Sequence, residues 1–186
     1  MMTASIQIDS ETNVSLEQML AARELRAARQ LSMLARFAKP LVSMTIVMPG
    51  PAKDGSLPRR LMLIALGEIE KLASTRNWRV LSHEFYWQNT GPEAIYVIDA
   101  DPQQLKSATV ELEDQHPLGR LWDLDVMAPG PRLLSRKELA LQSRRCLACE
   151  RPAAECGRSR RHPLDELLST IQRIANEYDH RQQIQE

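Results

Sequence analysis

The sequence predicts an α+β fold: a split β-α-β-type, four-stranded sheet with helices on one face, flanked by an N-terminal and a C-terminal helix. Three observations carry this prediction. Apolar residues recur at helical spacing in two long terminal segments, Leu16 to Leu34 and Leu164 to Tyr178. Between Leu41 and Met127 the elements read strand, helix, strand, strand, helix, strand, and Gly- or Pro-containing turns separate most of them.

Each element has its own local reason. Ser15 with Gln18 forms a capping-box pattern that opens a helix ending near Pro40, with Arg23, Arg26, Arg29 and Arg36 read as its solvated face. Leu41 to Met48 has the length and β-branched content of a strand, and the loop Pro49 to Gly55 ends it. Ser56 is expected to cap the next helix, with Pro58 tolerated in its first turn. Trp78 to Gln88 and Glu93 to Ala100 read as two strands joined by a turn at Asn89 to Pro92. Asp101 caps a helix with Pro102 at its first position, and His116-Pro117 stops it. Leu121 to Met127 is a strand, Arg132 to Leu134 a short hairpin partner, Ser135 with Glu138 a helical turn, and Pro163 opens the last amphipathic helix.

The 186 residues fit a single domain, residues 1–186, with 1–14 a flexible lead-in and 144–162 a Cys/Arg-rich loop. Basic and acidic residues number 24 each, so net charge offers no general attraction to nucleic acid or membrane, and no apolar run approaches the length of a membrane span. The N-terminal residues lack the basic and apolar regions of a signal peptide, and three cysteines crowded together argue against a disulfide framework; a cytoplasmic protein is expected. Charge is nevertheless segregated. Asp99 to Asp125 is strongly acidic and Arg144 to His162 strongly basic, a distribution that fits metal-plus-phosphate chemistry as well as ordinary solvated faces.

The sharpest chemical signal is the pair Asp123 and Asp125, which follows the turn at Gly119-Arg120. Side chains two apart on a strand share a face, so the two carboxylates repel unless a cation lies between them. Mg²⁺ bound to a phosphorylated substrate would supply one. An edge strand with a solvated acidic face is the plainer reading. Glu111 and Glu113 are possible further ligands, of which at most one points inward. A nucleotidyltransferase-like mixed sheet, which also displays an Asp-x-Asp pair beside a Gly-containing loop, is the alternative layout. Lys53, in the Gly/Pro loop before a helix, is a candidate phosphate contact or an ordinary solvated lysine. Cys146, Cys149, Cys156 and His162 have the content of a structural Cys₃His zinc site, although the later spacings are unusual for a finger; buried thiols in a packed loop are the alternative. Arg158, Arg160 and Arg161 precede a helix N-terminus and suit phosphate, an acidic protein surface or plain solvent.

The segments PLVSMTIVMPGPAKDG (40–55), HPLGRLWDLDVM (116–127) and RRCLACERPAAECGRSRRH (144–162) resemble the apo-citrate lyase phosphoribosyl-dephospho-CoA transferase family, the holo-citrate lyase synthases. Malonate decarboxylase holo-carrier-protein synthases are similar at Gly119, Asp123 and Asp125. The resemblance implies a nucleotidyltransferase that moves the 2′-(5″-phosphoribosyl)-3′-dephospho-CoA group from its triphosphate precursor to a serine of the citrate lyase acyl carrier (gamma) subunit, releasing diphosphate. In that reading Asp123 and Asp125 bind Mg²⁺ and carry catalysis, while Lys53, Arg120, Arg158, Arg160 and Arg161 contact the substrate phosphates. The alternatives are a non-catalytic, zinc-stabilised protein-interaction module, or the same transfer to the malonate decarboxylase carrier. Nucleic acid is not an expected partner, because the arginine-rich segment contains no aromatic residue.

Overall fold

A computed structural model of the chain describes residues 13–185, so the predicted lead-in falls outside it up to Thr12. Val14, at its end, is buried and donates its N–H to the Pro51 carbonyl.

Along the chain run α1 (Leu16–Phe37), β1 (Leu41–Ile46), α2 (Ser56–Thr75), β2 (Arg79–Tyr86), β3 (Glu93–Asp99), α3 (Pro102–Gln115), β4 (Trp122–Ala128), β5 (Arg132–Leu133), α4 (Ala153–Ser159) and α5 (Leu164–Gln185). The strands form one five-stranded sheet in the order β2-β3-β1-β4-β5, with every pairing antiparallel. The mixed-sheet alternative is therefore incorrect. The four strands expected are joined by β5, whose two residues pair with the end of β4.

The two helices between the strands, α2 and α3, share one face as expected, and the flanking helices divide between the two faces. α2, α3 and α5 contribute Leu61, Ile69, Leu105 and Ile171 to the main core, against Val42, Met44, Tyr96, Ile98, Leu124 and Val126 of the sheet. α1 lies on the opposite face, where Met33 and Leu34 pack on Leu41, Ile95 and Val97. β1 and β3 are thus covered from both sides, which explains their nearly continuous burial where alternation would mark a one-sided sheet.

Local signals mostly did as expected. Ser15 and Gln18 form the complete capping box, and Asp101 accepts from the N–H groups of Gln103 and Gln104. Ser56 is an exception: the cap residue is Gly55, with a φ of 150°, and no side chain caps α2. Leu121, expected to begin the strand, belongs instead to a 3₁₀ turn, Gly119–Leu121, and is fully buried in the main core. That turn needs Gly119, because a Cβ there would stand 2.2 Å from the Leu112 carbonyl oxygen and 2.6 Å from that of Glu113. The close approach presses the end of α3 against the start of β4 and sets where the acid pair emerges.

Candidate active site and metal-ligating cluster

β4 alternates cleanly. Trp122, Leu124 and Val126 enter the main core, which turns Asp123 and Asp125 to the α1 side. Asp123 pairs in register with Thr45 of β1, which pairs in turn with Glu93 of β3; Asp125 is opposite Ser43. A polar rung, Glu93–Thr45–Asp123, therefore crosses three strands at the end of the sheet away from the α1 apolar cluster. At twice the inter-strand spacing its two carboxylates are roughly 10 Å apart along the backbone.

The helix above that rung supplies cations. Arg26 Nε lies 3.2 Å from one oxygen of the buried Glu93 carboxylate and Arg29 Nη1 lies 3.0 Å from the other. Arg29 also stacks 3.8 Å from the centre of the Tyr86 ring. Burial raises the Glu93 carboxyl above its usual range, an effect that Arg26 and Arg29 partly oppose. A cleft of about 350 Å³ opens here, lined by Arg23, Arg26, Thr45, Lys53, Glu93 and Asp123. Lys53 donates to the Met48 carbonyl, and burial, followed by the charge of Arg23, lowers its pKa. Arg26 and Arg29 are consequently not part of a solvated face, whereas Arg23 at the mouth of the cleft and Arg36 are exposed as expected.

Asp123 and Asp125 are not equivalent. Arg144 Nη1 sits 2.9 Å from Asp123 Oδ1 and 3.1 Å from Glu113 Oε1, and its other amino nitrogen donates to the carbonyls of Arg120 and Trp122. Asp125 reaches solvent, yet the protein packed around it, and next the Asp123 charge, raise its pKa above the usual carboxylate range. Glu113 accepts the Leu124 N–H at 2.8 Å and pairs with Arg136 and Arg144, while Glu111 is exposed and pairs with Arg76. The inward glutamate serves the free edge of β4.

Beyond Arg144 lies a larger cavity of about 820 Å³, lined by the apolar Val47, Pro49, Leu164 and Leu167 and by the basic Arg120, Arg144, Arg145 and Arg160. Val47 and Pro49 border this cavity and the cleft alike. Arg120 and Arg144 also line a third hollow of about 310 Å³, with Glu113, Asp114 and Arg136. The Nε and Nη2 atoms of Arg120 are buried without a hydrogen-bond partner, as is expected of a guanidinium awaiting an anion. Of the predicted phosphate contacts, Lys53, Arg120 and Arg160 thus border these spaces; Arg158 and Arg161 are exposed and line none of the three.

The cysteine segment is more ordered than a loop. Arg145 and Pro152 form an antiparallel bridge, and Cys146 N–H donates to the Arg151 carbonyl at 2.7 Å, closing a tight hairpin that carries Cys146 and Cys149. α4 presents Cys156, and the left-handed Arg160, with a φ of 46°, redirects the chain to His162. One ligand atom from each of Cys146, Cys149, Cys156 and His162 lies within 4.8 Å of all the others, a cluster able to hold a metal ion. The Cys149 thiol is held down to about 7 by the Arg151 backbone and then by His162, whereas burial pushes Cys156 up to about 11.

Acids and arginines gathered at one end of a sheet, beside a partly apolar cavity, are surroundings suited to a phosphorylated ligand and place the chain with group-transfer proteins as the class to compare. The family model for apo-citrate lyase phosphoribosyl-dephospho-CoA transferase matches residues 14–178, and the chain belongs to that family. A protein of that name from Citrobacter koseri is 43% identical over 166 residues, 89% of this chain and 91% of the relative. The relatives of the same name from Escherichia coli O7:K1 and Shigella boydii serotype 18 are each 40% identical over 173 residues, 93% of this chain and 94% of the relative. A non-catalytic interaction module is thereby ruled out, since the family is one of transferases. Among the described residues no helix is long and apolar enough to cross a membrane.

Arg23, Arg26, Glu93, Arg144 and Arg145 were missed from the sequence. A signal existed for the first two: Met19, Arg23, Arg26, Gln30, Met33 and Phe37 follow one helical stripe, polar at its start and apolar at its end.

Proposed function

We propose that Asp123 and Asp125 form the reaction centre at which the 2′-(5″-phosphoribosyl)-3′-dephospho-CoA group passes from its triphosphate precursor to a serine of the citrate lyase acyl carrier (gamma) subunit. The coarser statement needs no proposal: as a family member, the chain is an enzyme that attaches the phosphoribosyl-dephospho-CoA prosthetic group to apo-citrate lyase. We read the whole chain as one transferase domain on an interleaved split β-α-β scaffold, acting in the cytoplasm.

The observation that carries the reading is the acid pair on a single strand face, beside cavities bordered by Lys53, Arg120 and Arg160. Two carboxylates in mutual repulsion, one of them with a raised pKa, are a hard-oxygen donor set suited to Mg²⁺. When bound there, Mg²⁺ would neutralise phosphate charge during transfer. In the transfer itself the serine oxygen attacks the α-phosphorus, a new O–P bond forms, the bond from that phosphorus to the bridging oxygen breaks, and diphosphate leaves. A carboxylate of the pair accepts the serine proton. Arg120, with two unpartnered nitrogens, Lys53 and Arg160 hold the departing charge; the exposed Arg158 and Arg161 are further contacts for the donor or the carrier. The Cys₃His cluster takes zinc as a structural ion.

The test is the mass of apo-carrier incubated with donor and Mg²⁺. Wild-type protein adds the full prosthetic group, and Asp123→Ala and Asp125→Ala do not; full modification by either variant removes that residue from the mechanism. Running the apo-carriers of citrate lyase and malonate decarboxylase side by side decides the acceptor.

A further inference from the structure

We infer that zinc held by Cys146, Cys149, Cys156 and His162 builds the outer wall of the donor cavity and, through Arg144, positions Asp123. The metal site stands on its own observations. Its function for the donor rests on the proposed reaction.

Geometry comes first. Cys149 Sγ lies 3.5 Å from Cys156 Sγ and 3.3 Å from His162 Nε2. A tetrahedral zinc with ordinary Zn–S and Zn–N bonds has ligand-to-ligand edges of about 3.5–3.8 Å, so the cluster closes around such an ion with little movement. The other ring nitrogen, His162 Nδ1, is 2.9 Å from Glu166 Oε1, the outer carboxylate that characteristically orients a metal-bound histidine.

The second argument is what else holds this segment. From Ser135 to Pro163 the buried residues are Cys146 and Cys156. Beyond these two thiols the ligand-bearing part of the stretch offers the main core only the half-buried Leu147, too little apolar surface to fix its own shape, and a cross-link makes up the deficit. Zinc is the cross-link these four side chains favour.

The third argument is position. Cys146, Cys156 and His162 line the 820 Å³ cavity themselves, and Arg144, Arg145 and Arg160 lie within two residues of a ligand on the same wall. Arg144 then reaches across to Asp123, Glu113 and the carbonyls of Arg120 and Trp122. A guanidinium with that many fixed acceptors keeps one place only while the backbone beside it is fixed, and that backbone is tied directly: Ala153 N–H donates to the Arg144 carbonyl at 2.8 Å. Arg144 is thus a positioning residue between the metal cluster and the acid pair. The ligand class this wall fits is a nucleotide carrying a polyphosphate, with apolar residues for base and pantetheine and arginines for the phosphates.

The experiment uses the full chain purified without chelator. Expected are one zinc per chain, a cobalt-substituted form with thiolate absorption bands, and binding of dephospho-CoA and of inorganic triphosphate that weakens about ten-fold or more on chelation and returns with zinc. Far-UV circular dichroism should show the sheet retained throughout. Cys149→Ser should repeat the loss. If that variant fails to fold, chelation and reconstitution of the wild type decide alone. Arg144→Ala should keep its zinc yet lose affinity and raise KM for the donor, with Arg144→Lys restoring part of both. A chain without zinc and with a Cys149–Cys156 disulfide overturns the metal site. A zinc protein whose ligand affinity ignores chelation overturns the coupling. Failure of wild-type protein to modify the carrier overturns the proposed reaction instead, and leaves zinc content and dephospho-CoA binding to judge this inference separately.

Discussion

The two faces of the sheet are built to different rules from the same strands. Under α2, α3 and α5 the face is apolar along its length, from Tyr96 and Ile98 through Val42 and Met44 to Leu124 and Val126. Under α1 it is divided: Leu41, Ile95 and Val97 make a small apolar cluster at one end, and Glu93, Thr45 and Asp123 make a charged rung at the other. One face holds the strands in register so that the other can display groups that repel one another. Because side chains alternate, each residue of β4 serves one purpose or the other.

The comparison is broken most forcefully from the apolar side. Trp122 is among the largest fully buried side chains, stacked 4.4 Å from His116, and Trp122→Ala should destabilise the fold by about 3–5 kcal/mol in chemical denaturation. Trp122→Phe should cost far less, since the indole N–H is buried without a partner and nothing bonded is lost with it. Its neighbour on the other face should behave in the opposite way. Asp123→Asn should leave the denaturation midpoint nearly unchanged while lowering carrier modification about 10²–10³-fold, measured by the mass shift. A large stability loss in that variant would mean that Asp123, with Arg144, is mainly a structural ion pair.

Glu93 sits between these cases, buried like a core residue and charged like a site residue. Glu93→Gln leaves Arg26 and Arg29 without their carboxylate, and should cost about 1–3 kcal/mol of stability. It should also make the cleft more positive, so that inorganic triphosphate binds more tightly in a titration. Weaker triphosphate binding would show that Glu93 holds the arginines in place for the ligand, a different division of labour.

How much of this was legible depended on whether the signal was local. Caps, turns and strand alternation act within a few residues, so Ser15, Asp101 and the shared face of Asp123 and Asp125 could be read directly. The Cys₃His grouping was legible as content, though its closure needed the hairpin at Arg145 and Pro152 and the turn at Arg160. Sheet pairing over long separations was not legible: Glu93 and Asp123 enter one site only because β1 lies between β3 and β4. Arg26 and Arg29 were misread because an arginine stripe at helical spacing looks the same whether water or a buried carboxylate faces it. Arg144 was hidden for a related reason, since its partners lie more than twenty residues away in sequence and its neighbours suggested only a basic loop.

The smallest expected effect concerns the rim of the apolar face, where His116 packs on Trp122 and Tyr178. His116 follows α3, stacks on Trp122 and accepts the Leu118 N–H at Nδ1, an arrangement that requires this nitrogen to be unprotonated. Burial, ahead of the opposing charge of Glu68, lowers its pKa below the usual histidine value. A histidine whose folded pKa is depressed contributes stability that is complete above the unfolded pKa and is lost as pH falls through the folded one, because the unfolded chain takes up the proton first. The fold should therefore weaken on mild acidification, beginning near the ordinary histidine pKa. His116→Phe keeps an aromatic ring for Trp122 and removes the titration, so the melting temperature of the variant should depend less on pH through that window, at the cost of the Leu118 hydrogen bond. Parallel pH profiles for wild type and variant would place the acid sensitivity elsewhere, with the carboxylates of the charged face the next groups to test.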